Sequence, residues 1–172
     1  MKNKVLLIGM PGSGKTTLSK MLSRALRVPY MDIDDFIESQ TGKSIPQLFQ
    51  QGEDCFRTVE TQACKVLAQK RGLIIAAGGG IVKKPVNIKY FEENTLILFI
   101  DRPIEEIAKD IDISSRPLLQ LGIYRLKVLY KERYFLYKKF SHYTIDNSED
   151  IHKTLEEILK IIEDQKDGIK LS

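Results

Sequence analysis

Eight consecutive residues near the start of the chain form a phosphate-binding pattern. Gly9-Met10-Pro11-Gly12-Ser13-Gly14-Lys15-Thr16 matches G-x-x-x-x-G-K-[ST] in full, between an apolar run and a helical pattern. In this arrangement the backbone N–H groups of the loop and the N-terminus of the following helix point at phosphate oxygens. Lys15 is expected to reach the β and γ phosphates of ATP, and the Thr16 hydroxyl to bind Mg²⁺. The pattern predicts nucleotide binding and leaves the phosphoryl acceptor open.

Two acids follow the second predicted strand. Asp32 and Asp34 alternate along an extended end, which predicts that both side chains lie on one side at the carboxyl edge of the sheet. One carboxylate could hold a water molecule of Mg²⁺, and the other could accept a hydrogen bond from an acceptor hydroxyl. A polar strand end that caps a helix would show the same residues.

Three arginines could bind anions. Arg57 and Glu60 lie three residues apart on a predicted helix and can pair, although the pattern alone is typical of a surface salt bridge. Arg116 lies in a polar segment, 110–122, that we predict to be a lid; from there a guanidinium could reach the phosphates, or simply be solvated. Arg133, near the end of the next predicted helix, suits either a carboxylate ligand or a surface cation.

The elements that must position these residues alternate between short apolar runs and helical patterns, which is typical of an α/β fold with a parallel sheet. Three glycines, Gly78 to Gly80, follow the third strand and would permit a close backbone approach to a ligand. The predicted strands are Lys4–Ile8, Pro29–Asp32, Leu73–Ala77, Thr95–Ile100 and Tyr143–Ile145. The predicted helices are 15–26, 53–71, Ile104–Lys109, one through Arg133, and a last one from Ile151 capped by Asn147 or Ser148. Asp101, between the fourth strand and Pro103, is interpreted as the start of a helix.

Size and composition favour one cytoplasmic domain without membrane or nucleic-acid partners. The chain has 172 residues, 42% of them hydrophobic, and a formal net charge of +4, which is too small by itself to indicate nucleic-acid binding. Its apolar runs are too short to span a membrane. Cys55 and Cys64 would lie roughly 13 Å apart along a helix, too far for a disulfide, so both thiols are expected to be reduced. His142 and His152 are the only histidines, which excludes a His/Cys metal cluster.

Taken together, the motifs resemble those of the shikimate kinase family. The resemblance runs from residue 5 to about 145 and rests on six segments in the family's order. They are the phosphate loop, Asp32-x-Asp34, Phe56-Arg57-x-x-Glu60, Gly78–Gly80, Arg116-Pro117-Leu118-Leu119 and Glu132-Arg133 with Tyr137.

The resemblance implies a fold, a reaction and roles for residues. The fold would be that of nucleoside-monophosphate kinases, with a five-stranded parallel sheet of order 2-3-1-4-5, a lid and a substrate-binding region at about 33–61. The reaction would transfer the γ-phosphoryl group of ATP to the 3-hydroxyl of shikimate, on the route to chorismate and the aromatic amino acids. Shikimate would be held by Asp34, Arg57, Gly79 and Arg133, with the carboxylate on Arg57 and Arg133. ATP would be held by Gly12, Ser13, Gly14, Lys15, Thr16, Thr17 and Arg116. Mg²⁺ would bind Thr16, with Asp32 behind it through water.

The sequence departs from the family pattern at two positions and leaves alternatives open. Phe135 stands where the family often has proline, and Lys109 where an arginine often flanks adenine. Asp101, after the fourth strand, is the alternative to Asp32 near the metal. Other functions that fit are a kinase for gluconate or a nucleoside monophosphate, or a non-catalytic nucleotide-binding relative. A GTPase is disfavoured because no N-K-x-D segment occurs. We expect a monomer.

Overall fold

The computed structural model describes residues 2–110, 122–165 and 171. Five parallel strands form one sheet in the order β2-β3-β1-β4-β5, which confirms the predicted α/β fold and strand order. The strands are β1 (Lys4–Ile8), β2 (Tyr30–Asp32), β3 (Leu73–Ala76), β4 (Thr95–Asp101) and β5 (Tyr143–Asp146). The phosphate loop follows β1, the central strand, so it lies between the ends of β3 and β4.

Helices cover both faces of the sheet. They are α1 (Lys15–Leu26), α2 (Ile33–Thr41), α3 (Ile45–Gln50), α4 (Glu53–Ala68), α5 (Pro85–Lys89), α6 (Ile104–Asp110), α7 (Gly122–Phe140) and α8 (Ile151–Asp164), with a 3-10 turn at Ile81–Lys83. Alternate residues of β1 to β4 contribute to two separate cores, and β5 contributes Ile145 to one of them. Leu7 packs with α1 and α8, whereas Leu6 and Ile8 pack with helices on the opposite face. This two-sided burial explains why the strands appear as continuous apolar runs.

Several predicted boundaries were wrong, each for a local reason. The helix predicted over 53–71 ends at Ala68, because the N–H groups of Gln69 and Lys70 bond to carbonyls three residues back and tighten the chain into the turn before β3. Asp150, and not Asn147 or Ser148, caps α8: its carboxylate accepts from the N–H of His152. Asp101 ends β4 and does not start a helix, since Arg102 and Pro103 come before α6.

The segment between β2 and α4 is helical, although no helical pattern is predicted there. α2 and α3 are short, and their ends are fixed by local capping. The Ser44 hydroxyl accepts from the N–H of Gln47, whose own side chain accepts from the Ser44 N–H. These two helices carry the chain from Asp34 to Arg57, within the region predicted to bind the substrate.

His142 provides a prediction for the pH dependence of stability. The N–H of Ile97 donates to its Nδ1 at 3.0 Å, which requires that nitrogen to be unprotonated. Partial burial, followed by the nearby Lys2, lowers the pKa of His142 below its ordinary value of 6.5. A lowered pKa means that the unfolded chain takes up the proton first. The contribution of His142 to stability is therefore fully present above about pH 6.5 and is lost as the pH falls through the lowered value.

His142→Asn should flatten this part of the pH profile, because the Asn Oδ1 can accept from Ile97 without titrating. Urea unfolding measured between pH 7.5 and pH 5 would show a smaller loss of unfolding free energy in the variant than in the wild type. His152→Asn, a change at the other histidine, is the matched control. An equal flattening in both variants would contradict the assignment.

Candidate active site

One cavity of about 290 Å³ lies at the carboxyl edge of the sheet. The phosphate loop, the residues after β2 and β3, and Arg102 after β4 contribute to it. Its lining consists of Gly12, Gly14, Lys15, Thr16, Thr17, Asp32, Asp34, Ala77, Gly78, Gly79 and Arg102. Residues from separate predicted motifs therefore meet in a single site, as expected for the ends of neighbouring parallel strands.

Backbone conformation and a buried amide hold the phosphate loop. Gly14 has φ +95°, and a Cβ there would lie 2.7 Å from Nδ2 of Asn147, so only glycine fits. The same Nδ2 donates to the Ser13 carbonyl at 2.8 Å, and the hydroxyl of Thr154 donates to the Asn147 Oδ1. The loop after β5 and the start of α8 thus brace the phosphate loop. Asn147 is thus a brace of the phosphate loop and not the helix cap expected from its position in the sequence.

Lys15 is the first residue of α1 and is buried, with 7% of its surface exposed. Lys15 is therefore a buried helix residue and not part of an exposed loop. Its ammonium donates to the carbonyls of Gly9 at 3.0 Å and Met10 at 2.6 Å. Lys15 thereby supplies a donor to two carbonyls of the loop, and the Met10 carbonyl also accepts from the N–H of Ser13.

Thr16, Asp32 and Asp34 are linked by hydrogen bonds. The Thr16 hydroxyl donates to Oδ2 of Asp32 at 2.7 Å, and the N–H of Asp34 donates to Oδ1 at 3.0 Å. Asp32 therefore caps α2 while also contacting the phosphate-loop threonine. The expected extended end was wrong, because α2 begins at Ile33; both carboxylates nevertheless line the same cavity.

Asp101 lies outside this cavity. It lines a second cavity of about 350 Å³ together with residues of α6, Tyr130 and Asp146. The Tyr134 hydroxyl donates to its Oδ2 at 3.0 Å, and burial raises the pKa of Asp101. Within the described residues, Thr16 is therefore hydrogen-bonded to Asp32 and not to Asp101.

Arg57 and Glu60 form a buried pair, which corrects the expectation of a surface salt bridge. Their side chains are 5% and 1% exposed, and Nη1 of Arg57 donates to both carboxylate oxygens at 3.0 and 2.8 Å. Burial raises the pKa of Glu60, and the neighbouring Arg57 opposes that shift. Glu53 holds the other edge of the guanidinium through Nε and Nη2. Arg57 is thus fixed on both sides.

Arg133 is also buried, at 2% exposure, which excludes the interpretation as a surface cation. Within the described part of the chain its Nε has no hydrogen-bond partner, an unusual state for a buried charged donor. One turn later on α7, the Tyr137 hydroxyl donates to the Gly79 carbonyl. Burial raises the pKa of Tyr137 to about 12, while Arg133 acts to lower it. Arg133 therefore lies close to Tyr137, whose hydroxyl contacts the glycine triplet.

The glycine triplet connects the two arginines to the phosphate loop. Gly79 packs against Pro11 of the loop, where a Cβ would lie 2.7 Å from Cδ, and Gly80 packs against the Arg57 guanidinium. The close approach expected from three glycines is present, but its partners are protein groups: a proline ring and a guanidinium. Arg116, with residues 111–121 of the predicted lid, lies outside the described residues.

Gly80→Ala should weaken binding of an anionic acceptor by displacing Arg57. The new Cβ would lie 2.6 Å from Cζ of Arg57, and φ at this position is −94°, so the clash acts without backbone strain. We expect the acceptor KM to rise about tenfold, the lower range for one charge-assisted contact, with the KM for ATP unchanged. Steady-state kinetics in both substrates would measure this. An unchanged acceptor KM in a folded variant would mean that Arg57 does not contact the acceptor.

Among residues 2–110, 122–165 and 171, no group of three or more His, Cys, Asp or Glu side chains could hold a metal ion. The helices described here include none that is long and apolar enough to cross a membrane. Cys55 and Cys64 are both free, as expected, and burial raises the pKa of the Cys64 thiol.

Comparisons with known proteins agree with the motif order. The family model for shikimate kinase matches residues 11–163. The chain is 49% identical to a shikimate kinase of Clostridium botulinum (strain Alaska E43 / Type E3), covering 94% of this chain and 98% of the relative. It is 46% identical to a shikimate kinase of Clostridium beijerinckii, covering 95% and 97%. The structure of shikimate kinase from Acinetobacter baumannii in complex with shikimate superimposes with a TM-score of 0.91, at 31% identity and 96% coverage of both chains. The chain belongs to the shikimate kinase family.

Proposed function

We propose that the protein transfers the γ-phosphoryl group of ATP to the 3-hydroxyl of shikimate, giving shikimate 3-phosphate and ADP. One observation carries the proposal: a phosphate-loop cavity adjoins two buried arginines through the glycine triplet. The phosphate-loop cavity suits a nucleotide, and the two arginines suit a small anionic acceptor. The shikimate bound to the A. baumannii relative supports this choice of acceptor.

Phosphoryl transfer requires positioning and charge stabilisation more than covalent chemistry. We assign the phosphate contacts to Gly12, Ser13, Gly14, Lys15, Thr16 and Thr17, with the Lys15 ammonium on the transferred group. Asp34 accepts a hydrogen bond from the 3-hydroxyl and takes its proton. The new bond joins that oxygen to the γ phosphorus, and the bond from the γ phosphorus to the oxygen bridging it to the β phosphate breaks.

The two arginines orient the acceptor. Arg57 and Arg133 bind the carboxylate of shikimate, and the backbone of Gly79 lies beside the ring. A guanidinium suits this role because two parallel hydrogen bonds fix the direction of a carboxylate as well as its charge. The Nε of Arg133 supplies a buried donor for it. Glu60 and Glu53 act as positioning residues, because they hold Arg57 before the acceptor binds.

Thr16 and Asp32 fit Mg²⁺. The Thr16 hydroxyl donates a hydrogen bond to Asp32, so the lone pairs of the Thr16 oxygen remain available to a cation. Oxygen donors of this kind suit Mg²⁺, which keeps several of its water molecules, and Asp32 would hold one of them. When bound, the ion neutralises charge on the phosphates.

Asp32→Asn should raise the Mg²⁺ concentration needed for half-maximal rate about tenfold or more, as for other residues that support a metal ligand. Asparagine preserves the cap of α2, since its Oδ1 can still accept from Asp34. The substitution removes the negative charge and also the acceptor for the Thr16 hydroxyl, because the amide NH2 replaces Oδ2. Magnesium titrations at saturating ATP would measure the change. Asp101→Asn is the control, with no expected shift; a shift there and none in Asp32→Asn would reverse the assignment.

A coupled assay for ADP release tests the proposed acceptor against gluconate, AMP and CMP. Shikimate should have the highest kcat/KM by orders of magnitude. A better rate with a nucleoside monophosphate would support the alternative kinase, and release with none of them would support a non-catalytic relative. Several other expectations remain predictions. They are the contact of Arg116 with ATP, a monomeric state, a cytoplasmic location, one domain with a lid at 110–122, and the absence of nucleic-acid or membrane partners.

A further inference from the structure

Arg102 is a charged residue of the cavity to which the motifs assign no role. It directly follows β4, which pairs with β1, the strand that leads into the phosphate loop. Its side chain is 21% exposed and lines the cavity. Among the described residues that line the cavity, Lys15 and Arg102 are the two cations.

The charge balance of the cavity depends on Arg102. The lining contains two carboxylates, Asp32 and Asp34, and the two cations. With Arg102 these formal charges cancel; without it they sum to one negative charge. The phosphate chain of a nucleotide carries several negative charges, which the carboxylates of Asp32 and Asp34 repel. A second cation offsets this repulsion together with Lys15 and the N-terminus of α1.

The guanidinium of Arg102 is held loosely and retains donors. Nη1 donates to the Gly12 carbonyl at 3.3 Å, and Nη2 pairs with Asp110 at 2.5 Å. A guanidinium has five N–H donors. Within residues 2–110 and 122–165, Arg102 uses two of them, in the hydrogen bonds to Gly12 and Asp110. Asp110 is 62% exposed, and such surface pairs contribute little to stability. A phosphate can therefore replace Asp110 or bind the remaining donors.

We propose that Arg102 is a further nucleotide-contacting residue, whose guanidinium binds the phosphate chain of ATP and ADP beside the phosphate loop. The identity of the nucleotide rests on the proposed function. The position after β4 explains the role: it places a cation at the same sheet edge as the loop, on the side next to α6.

Calorimetric titration with ADP tests this contact. Arg102→Gln should raise the Kd about tenfold or more, the effect of losing one charge-assisted hydrogen bond. It should also make the dependence of the Kd on salt concentration shallower. Arg102→Lys, which keeps the charge, should bind ADP with an intermediate Kd. The KM for shikimate should stay unchanged in both variants.

Two control variants separate a phosphate contact from a structural tie. Asp110→Asn removes the ion pair between Arg102 and α6 but keeps the cation, so ADP should bind as tightly as in the wild type or more tightly. Lys65→Gln removes one positive charge from the exposed last turn of α4 and should change nothing. Thermal unfolding of each variant would be measured beside the titrations. If Arg102→Gln does not fold, the Kd of Arg102→Lys for ADP tests the contact instead.

The outcomes are distinct. Wild-type affinity in Arg102→Gln would overturn the inference, and so would equal weakening in Arg102→Gln and Asp110→Asn, which would make Arg102 a structural tie between α6 and Gly12. If the wild type phosphorylates shikimate while Arg102→Gln binds ADP normally, only this inference fails. If Arg102→Gln weakens ADP but shikimate is no acceptor, the proposed function fails and the nucleotide contact stands.

Discussion

Lys15→Ala is expected to lower kcat by about 10²–10³-fold or more, the range seen when a donor to transition-state charge is removed. The Lys15 ammonium lies inside the phosphate loop, held by the carbonyls of Gly9 and Met10. From this position the ammonium can stabilise the negative charge that develops on the transferred group. No other cation described in the cavity comes from the loop itself.

Single-turnover and steady-state rates would measure this loss, with thermal unfolding beside them because Lys15 is buried. Lys20→Ala is the matched control: it removes a lysine five residues further along α1, where the side chain is exposed. Near-normal kcat in Lys15→Ala would mean that the loop does not act on the transferred phosphate.

The second large effect concerns the acceptor's carboxylate. Arg57→Lys and Arg133→Lys should each raise the KM for shikimate about 10- to 100-fold, corresponding to roughly 1.5–3 kcal/mol for a charge-assisted contact. Lysine keeps the charge but loses the fork that fixes a carboxylate. Binding of ATP should be nearly unchanged, because neither arginine lines the phosphate cavity.

An amide analogue of shikimate makes this prediction specific. Its neutral group should greatly weaken binding to the wild type but should weaken binding to the arginine variants little further. A double-mutant cycle would show this difference as coupling between the arginine and the carboxylate. Arg24→Lys, the same substitution in the exposed last turn of α1, is the control. Weaker ATP binding with an unchanged KM for shikimate would contradict the assignment.

Local sequence signals predicted much of the fold. Buried strands such as β4 consist of continuous apolar residues, and the phosphate loop has a fixed glycine spacing, so both could be identified directly. α2 and α3 could not, because they are too short for a clear 3.6-residue period and depend on caps such as Asp32 and Ser44. The end of α4 depended on a tight turn, in which the N–H groups of Gln69 and Lys70 bond to carbonyls three residues back.

The sequence suggested candidate residues for the site but not the environment of each one. Asp34, Arg57 and Arg133 were proposed from type and order, and nothing local distinguishes the buried Arg57–Glu60 pair from a surface one at the same spacing. Asn147 braces the phosphate loop from 134 residues away, a contact that no local pattern encodes. Arg102 had a signal, since it follows the strand next to β1, but no motif contains it.

The position of the transferred phosphate tests the central claim most directly. The protein would be incubated with ATP, Mg²⁺ and shikimate, and the product examined by ³¹P and ¹H NMR with mass spectrometry. One phosphoryl group should appear on the 3-oxygen, with phosphorus coupling to the proton on C3 and one ADP released per product. Lys15→Ala should form none on the same timescale. Phosphate on another oxygen, or ATP consumption with shikimate recovered unchanged, would contradict the proposed function.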